Sequence, residues 1–172
     1  MTEITTYFNS VYDATFRDLM RYCIIKAPQI ADADDLVQIA YTKFYRTLCR
    51  RGVRAIRNPN AYLMTLLKHE LAGYYRLRAS KKEVSLEVVG DEPDSTNSVE
   101  YLGLEHLTAD EVWAQVRSEP ETTQRMFILF YGYEMRIREI ADALGTTEAS
   151  VKNRLLRVRN KLKETYERRT EL

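Results

Sequence analysis

Between positions 149 and 163 the chain carries six basic side chains and no acid: Lys152, Arg154, Arg157, Arg159, Lys161 and Lys163. Thr147, Ser150 and Asn153 stand among and just ahead of them. Short polar groups near a helix start can reach nucleobase edges, while Lys and Arg neutralise phosphates. A second set mixes rings with cations: Tyr62, Lys68, His69, Tyr74, Tyr75, Arg76 and Arg78. Bases stack on rings and phosphates meet cations, at about 1–3 kcal/mol per stacked base, so this set suits a single nucleic-acid strand. A third set is acidic: Asp32, Asp34 and Asp35 within ADADDLVQ. An aspartate trio could hold a divalent cation, but phosphoryl chemistry needs a partner constellation that the sequence does not offer. Capping and negative charge at a helix start, together with a face for protein docking, explain the trio more simply. No catalytic residue, metal, cofactor or small-molecule substrate is expected from these sets.

Helices must position them. Gly and Pro are scarce, and apolar residues recur at helical spacing. Phe8, Val11, Tyr12, Thr15, Leu19, Tyr22 and Cys23 form a first stripe that Pro28 ends. Leu36, Val37, Ala40, Tyr41, Phe44, Tyr45 and Leu48 form a second, closed by Gly52. Asn58-Pro59 offers a cap and a first-turn proline for a third helix, with the stripe Tyr62, Leu63, Leu66, Leu67, Leu71 and Tyr74. Helices resume at Thr108-Ala109-Asp110-Glu111, a capping-box pattern. Pro120 opens a helix with the stripe Thr123, Met126, Phe127 and Phe130, ended by Gly132. Trp113, Met126 and Phe127 are expected in the core. Ile140, Ala141, Gly145, Val151 and Leu155 fit a helix-turn-helix. Ala141 is small where the second helix crosses, Gly145 tolerates positive φ in the turn, and Val151 and Leu155 pin the second helix to the first. The expected fold is all-α: helical domains at 7–76 and 108–168, joined by an acidic, mostly irregular linker at 77–107.

A formal net charge of +1 conceals a strong pattern. Residues 40–82 carry 11 basic and 1 acidic side chains, whereas residues 83–111 carry none basic and 9 acidic. Residues 136–172 carry 10 basic and 6 acidic. Solvated helix faces alternate signs, so two basic blocks split by an acidic one point to a polyanion contacted at two places. No run of about 18 apolar residues is present, and the first residues lack the basic start and apolar core of a secretory leader, so a cytoplasmic protein without membrane insertion is expected. Cys23 and Cys49 have no CxxC or paired histidines around them and read as two reduced core thiols.

In their order, these parts resemble the bacterial RNA polymerase sigma factors of the extracytoplasmic-function group. ADADDLVQIAYTKFYR at 31–46 is similar to that family's core-polymerase-binding helix. NPNAYLMTLLKHELAGYYR at 58–76 is similar to its −10 recognition and melting segment. REIADALGTTEASVKNRLLRVRNKL at 138–162 is similar to its −35 helix-turn-helix. The resemblance implies a factor that directs core RNA polymerase to promoters and helps open them, with no covalent chemistry of its own.

It also implies roles. Asp32, Asp35, Leu36, Gln38 and Phe44 would serve core polymerase binding, facing a coiled coil of the largest subunit. Tyr62, Lys68, His69, Tyr74, Tyr75 and Arg76 would capture the non-template strand of the −10 element. Thr147, Ser150, Lys152, Asn153, Arg154 and Arg157 would meet the −35 duplex. The acidic linker would thread near the RNA exit path, and the polymerase flap region is a further implied contact. Many members of the family are clamped by an anti-sigma factor. Two positions depart from the family pattern: His69 stands where Asn is usual, and Gly73 where Asp is frequent. Two rival readings remain open on the residues alone. A helix-turn-helix regulator acting without polymerase would need its own dimer interface, and a nuclease built on the aspartates would need a second carboxylate or a Lys/His set.

Overall fold

The structure, a computed structural model, describes residues 3–80 and 107–170, with side chains to 77 and 168. The chain divides into two compact units, Met1–Glu87 and Val88–Leu172. All regular elements among the described residues are helical, and none of these helices is long and apolar enough to cross a membrane.

Three helices make the N-terminal unit: α1 (Glu3–Lys26), α2 (Ala33–Arg51) and α3 (Pro59–Ser80). Each boundary has a local cause. Pro28 cannot continue α1, whose ladder closes with the Ala27 N–H donating to the Cys23 carbonyl at 2.7 Å. Gly52 ends α2 at φ 80°, a left-handed value that suits glycine, and its N–H reaches the Leu48 carbonyl. Asn58 Oδ1 accepts the Ala61 N–H at 3.0 Å and Pro59 takes the first helical position of α3. The three stripes meet in one core. Leu19 and Cys23 of α1, Val37, Phe44 and Leu48 of α2, and Leu63 and Leu67 of α3 are all wholly buried. Each such Leu or Phe contributes roughly 1.5–3 kcal/mol by leaving water. One polar link crosses this core: the Thr15 and Tyr41 hydroxyls lie 2.7 Å apart. Burial pushes the Tyr41 phenol above its ordinary value of 10.0, against the lowering effect of the Thr15 bond.

The C-terminal unit holds α4 (Ala109–Ser118), α5 (Glu121–Phe127), α6 (Ile137–Leu144) and α7 (Glu148–Thr170). The capping box forms in full: the Thr108 hydroxyl accepts the Glu111 N–H, and the Glu111 carboxylate accepts the Thr108 N–H at 2.8 Å. A π-helical turn, Ile128–Gly132, follows α5, where the Tyr133 N–H reaches back to the Ile128 carbonyl at 3.2 Å. That wider turn re-registers the stripe. Leu129 becomes the wholly buried residue and Phe130, expected inside, is only half-buried.

Three further expectations are corrected. Cys49 is exposed and only Cys23 is a core thiol, because Cys49 points away from α1 and α3 on the last turns of α2. Trp113 is 41% exposed, since α4 offers only Val116 to the core as a buried residue. Helix α3 runs to Ser80, so its last residues occupy positions read as linker. The acidic segment itself, 81–106, lies outside the described residues.

Candidate nucleic-acid interface

The α6–turn–α7 unit is assembled from side chains that fix it and others left over. Ile140, Ala141, Val151 and Leu155 are buried at the crossing. Gly145 sits at φ 66°, ψ 39°, and its N–H and that of Thr146 both reach the Ala141 carbonyl. Thr147 caps α7 by accepting the Ser150 N–H at 3.1 Å, and Ser150 itself is buried. Arg154 turns toward α5, where its Nη1 donates to Thr123 Oγ1 at 3.2 Å. Thr147, Ser150 and Arg154 are therefore tied into the packing of α7. Lys152 and Arg157 are exposed and Asn153 half-buried, and none of the three has a hydrogen bond or ion pair among the described residues. Further along, Lys161 pairs with Glu119 at 2.8 Å.

The N-terminal unit places its acidic set at the start of α2. Asp35 and Gln38 are exposed, with the Gln38 amide donating to Asp34 at 2.7 Å. The Asp32 side chain makes no cap bond; it accepts the Tyr74 hydroxyl at 2.5 Å. Leu36 (4% exposed) and Phe44 (0%) are core residues, because both lie on the side of α2 that packs inside the unit. They orient the helix and are withdrawn from the expected contact surface. Exposed Ile39, which sequence reasoning missed, lies one turn beyond Asp35 on the outer side. Its signal was present: a large apolar residue outside the periodic stripe.

On α3, tethers hold most of the ring-and-cation set. The Tyr62 hydroxyl meets Thr47 Oγ1 at 3.2 Å. Tyr75 donates to the Lys26 carbonyl at 2.5 Å while its residue stays 49% exposed. Lys68 Nζ lies 5.8 Å above the Tyr22 ring, and Arg76 Nε donates to the Ala72 carbonyl. His69 is exposed. A Cβ added at Gly73 would meet nothing within 4 Å, so no packing offsets the roughly 1 kcal/mol by which glycine weakens a helix. Beside Tyr62 lies a hollow of about 280 Å3, lined also by Thr47, Arg51, Ala55, Ile56, Arg57 and Asn58. No sequence pattern hinted at it, since its wall joins the end of α2, the following turn and the start of α3.

Residues 120–162, which span α5 to most of α7, match the family described as Sigma-70, region 4. That part of the C-terminal unit is similar to sigma-70 region 4. The resemblance to sigma factors carried by residues 138–162 is thus met by an independent match over the same helices. A solved structure of the sigma factor RpoE in complex with the anti-sigma factor NepR, from Bartonella quintana, aligns over 91% of this chain and 94% of that one, at 21% identity and a TM-score of 0.43. No curated protein matches the chain in sequence. Within the matched residues, Lys152, Asn153 and Arg157 have no hydrogen bond or ion pair among the described residues, and Ala141, Gly145, Val151 and Leu155 build the helix-turn-helix.

Proposed function

We propose that this chain is a sigma factor: a dissociable subunit that binds core RNA polymerase and directs it to promoters. The observation that carries the reading is the coincidence of the region 4 match with a helix-turn-helix whose Lys152, Asn153 and Arg157 have no protein partner among the described residues. In this reading α7 enters the major groove of the −35 element. Asn153 reads a base edge, Lys152 and Arg157 reach bases or phosphates, and Arg154 keeps the helix in register with α5. Asp35, Gln38 and Ile39 of α2 form the docking face for the coiled coil of the polymerase's largest subunit. The rings of Tyr62, Tyr74 and Tyr75, with Lys68, His69 and Arg76, hold the separated non-template strand of the −10 element.

The chemistry asked of the protein is binding alone. Unstacking bases costs a few kcal/mol per step. Contacts with two DNA elements and the polymerase offset it, and joining two weak binders in one chain favours DNA with both elements at the right spacing. The test is transcription in vitro from a promoter library with core polymerase. Addition of the chain should produce initiation at a defined set of sites, and Asp35→Arg should abolish it by lowering polymerase affinity. Unchanged initiation, or tight binding to duplex DNA without polymerase, would favour a stand-alone regulator instead.

A further inference from the structure

The N-terminal unit has a second hollow, of about 340 Å3, between α1 and α2. Its wall is mostly aromatic: Phe8, Tyr12 and Phe16 come from α1 and Tyr41 and Tyr45 from α2, with Asp34 beside them. The rings hold one another at fixed angles. Tyr12 stacks on Phe16 with 4.9 Å between centroids and lies 4.7 Å from Tyr41. Phe8 stands nearly perpendicular to Tyr41 and Tyr45, at 79° and 84°. The Tyr41 hydroxyl is anchored at Thr15, which keeps that ring from turning away. Packing among the rings does not close the hollow, since Tyr12 and Tyr45 remain 36% and 38% exposed. None of these five rings takes part in the nucleic-acid or polymerase contacts proposed above.

The charge around the hollow has one sign. No Lys or Arg is among the residues that line it. Asp34 has no ion pair among the described residues; its carboxylate accepts the Gln38 amide, a neutral partner. Asp32 and Asp35 stand close to it on the chain. Three carboxylates outweigh the positive charge at the first turn of α2, which amounts to roughly half an elementary charge. Ring faces carry the negative end of a quadrupole, so angled rings beside a carboxylate attract a cation. The chain already makes one contact of this kind, with Lys68 Nζ 5.8 Å from the centre of the Tyr22 ring. We propose that the hollow binds a small organic cation: its ammonium or guanidinium head lies among Tyr12, Tyr41 and Tyr45, paired with Asp34, and its apolar body packs on Phe8 and Phe16. A free molecule is the occupant because the volume falls in the range of ligand pockets, roughly 300–1,000 Å3, and exceeds what the tip of one lysine or arginine of a docked protein would fill. The site does not depend on the sigma-factor reading.

The test uses the full-length chain with acetylcholine as the probe and 3,3-dimethylbutyl acetate, its uncharged carbon isostere, as the control. Binding is followed by proton NMR, where N-methyl signals held over ring faces move upfield. Acetylcholine should saturate and should bind about tenfold more tightly than the isostere. Tyr12→Leu and Tyr45→Leu keep apolar bulk and remove the ring. Each should weaken acetylcholine by about three- to tenfold and leave the isostere within about twofold. Asp34→Asn should weaken acetylcholine and leave the isostere unchanged. All three positions are exposed, so helical circular dichroism should stay the same. Trp113→Leu, in the other unit, should change nothing. Equal affinity for the two probes overturns the cation site and leaves an apolar surface. Full affinity in all three variants also overturns it, by placing the probe elsewhere, as would a loss confined to Trp113→Leu. Absence of saturable binding overturns it as well; if core polymerase then shields Tyr12 and Tyr45 from nitration by tetranitromethane, the hollow belongs to protein docking.

Discussion

In the proposed function the two units would meet nucleic acid in opposite ways. In the C-terminal unit the helix is held by one set of residues and offers another. Thr147, Ser150 and Arg154 are tied into the fold, and Lys152, Asn153 and Arg157 are not. In the N-terminal unit the rings proposed to meet the strand are themselves tied into the fold: Tyr62 is bonded to Thr47, Tyr74 to Asp32 and Tyr75 to the Lys26 carbonyl. The difference follows from the proposed targets. A duplex groove presents base edges at fixed spacing, so placing the helix is enough to aim flexible polar tips. A single strand brings no such spacing, and the protein must supply it by immobilising rings beforehand. A hydroxyl tether holds a ring by its edge and leaves a face open for stacking, which lowers the ordering cost when the strand arrives.

The largest test of that contrast is whether the units fail separately. Phe44→Ala should remove about 3–5 kcal/mol from the N-terminal unit and Leu155→Ala about 2–5 kcal/mol from the C-terminal one, since both side chains are wholly enclosed. Calorimetry should show a different transition moving in each variant; one shared transition shifting in both would end the description of two units. A sharper test lies inside α7. Arg157→Ala should cost about 1–3 kcal/mol of upstream-element affinity with thermal stability intact. Arg154→Ala should instead cost about 1–3 kcal/mol of stability, through the lost bond to Thr123. If Arg154→Ala weakens duplex binding at full stability, holding and reading are not divided as described. The smallest effect belongs to a tether. Tyr74→Phe keeps the ring and removes the bond to Asp32, so stability should fall by roughly 1 kcal/mol. Single-strand affinity, read by fluorescence anisotropy, should fall less than for Tyr74→Ala, where about 1–3 kcal/mol of stacking would also go. Tighter binding by the Phe variant would mean that the tether restrains the ring rather than presents it.

Much of the fold was legible because its signals are local. The cap at Asn58, the box at Thr108 and Glu111, and the left-handed glycines at 52 and 145 each involve residues within about one helical turn. The helix-turn-helix was legible for the same reason: a small residue, a turn glycine and two apolar pins lie within 15 positions. The candidate sites were less so. Asp32 reads as a cap, yet its carboxylate is taken by Tyr74, 42 residues away. Arg154 reads as a base contact, yet Thr123, 31 residues earlier, claims it. The π-helical turn after α5 moved Leu129 inward in place of Phe130, a shift of register that no helical period announces.

The order of amino acids by itself determined an all-α chain with its caps and turns, and it placed charge of one sign in blocks. These follow from backbone bonding and side-chain type, which act over a few residues and need no partner. Tertiary structure alone decided which members of each chemical set remain available. It enclosed Leu36 and Phe44, exposed Cys49 and Trp113, tethered three tyrosines, and opened the hollow beside Tyr62. Whether a long polar or aromatic side chain faces water or protein depends on what another helix brings to it, and that distance in sequence is too great for any local pattern to record.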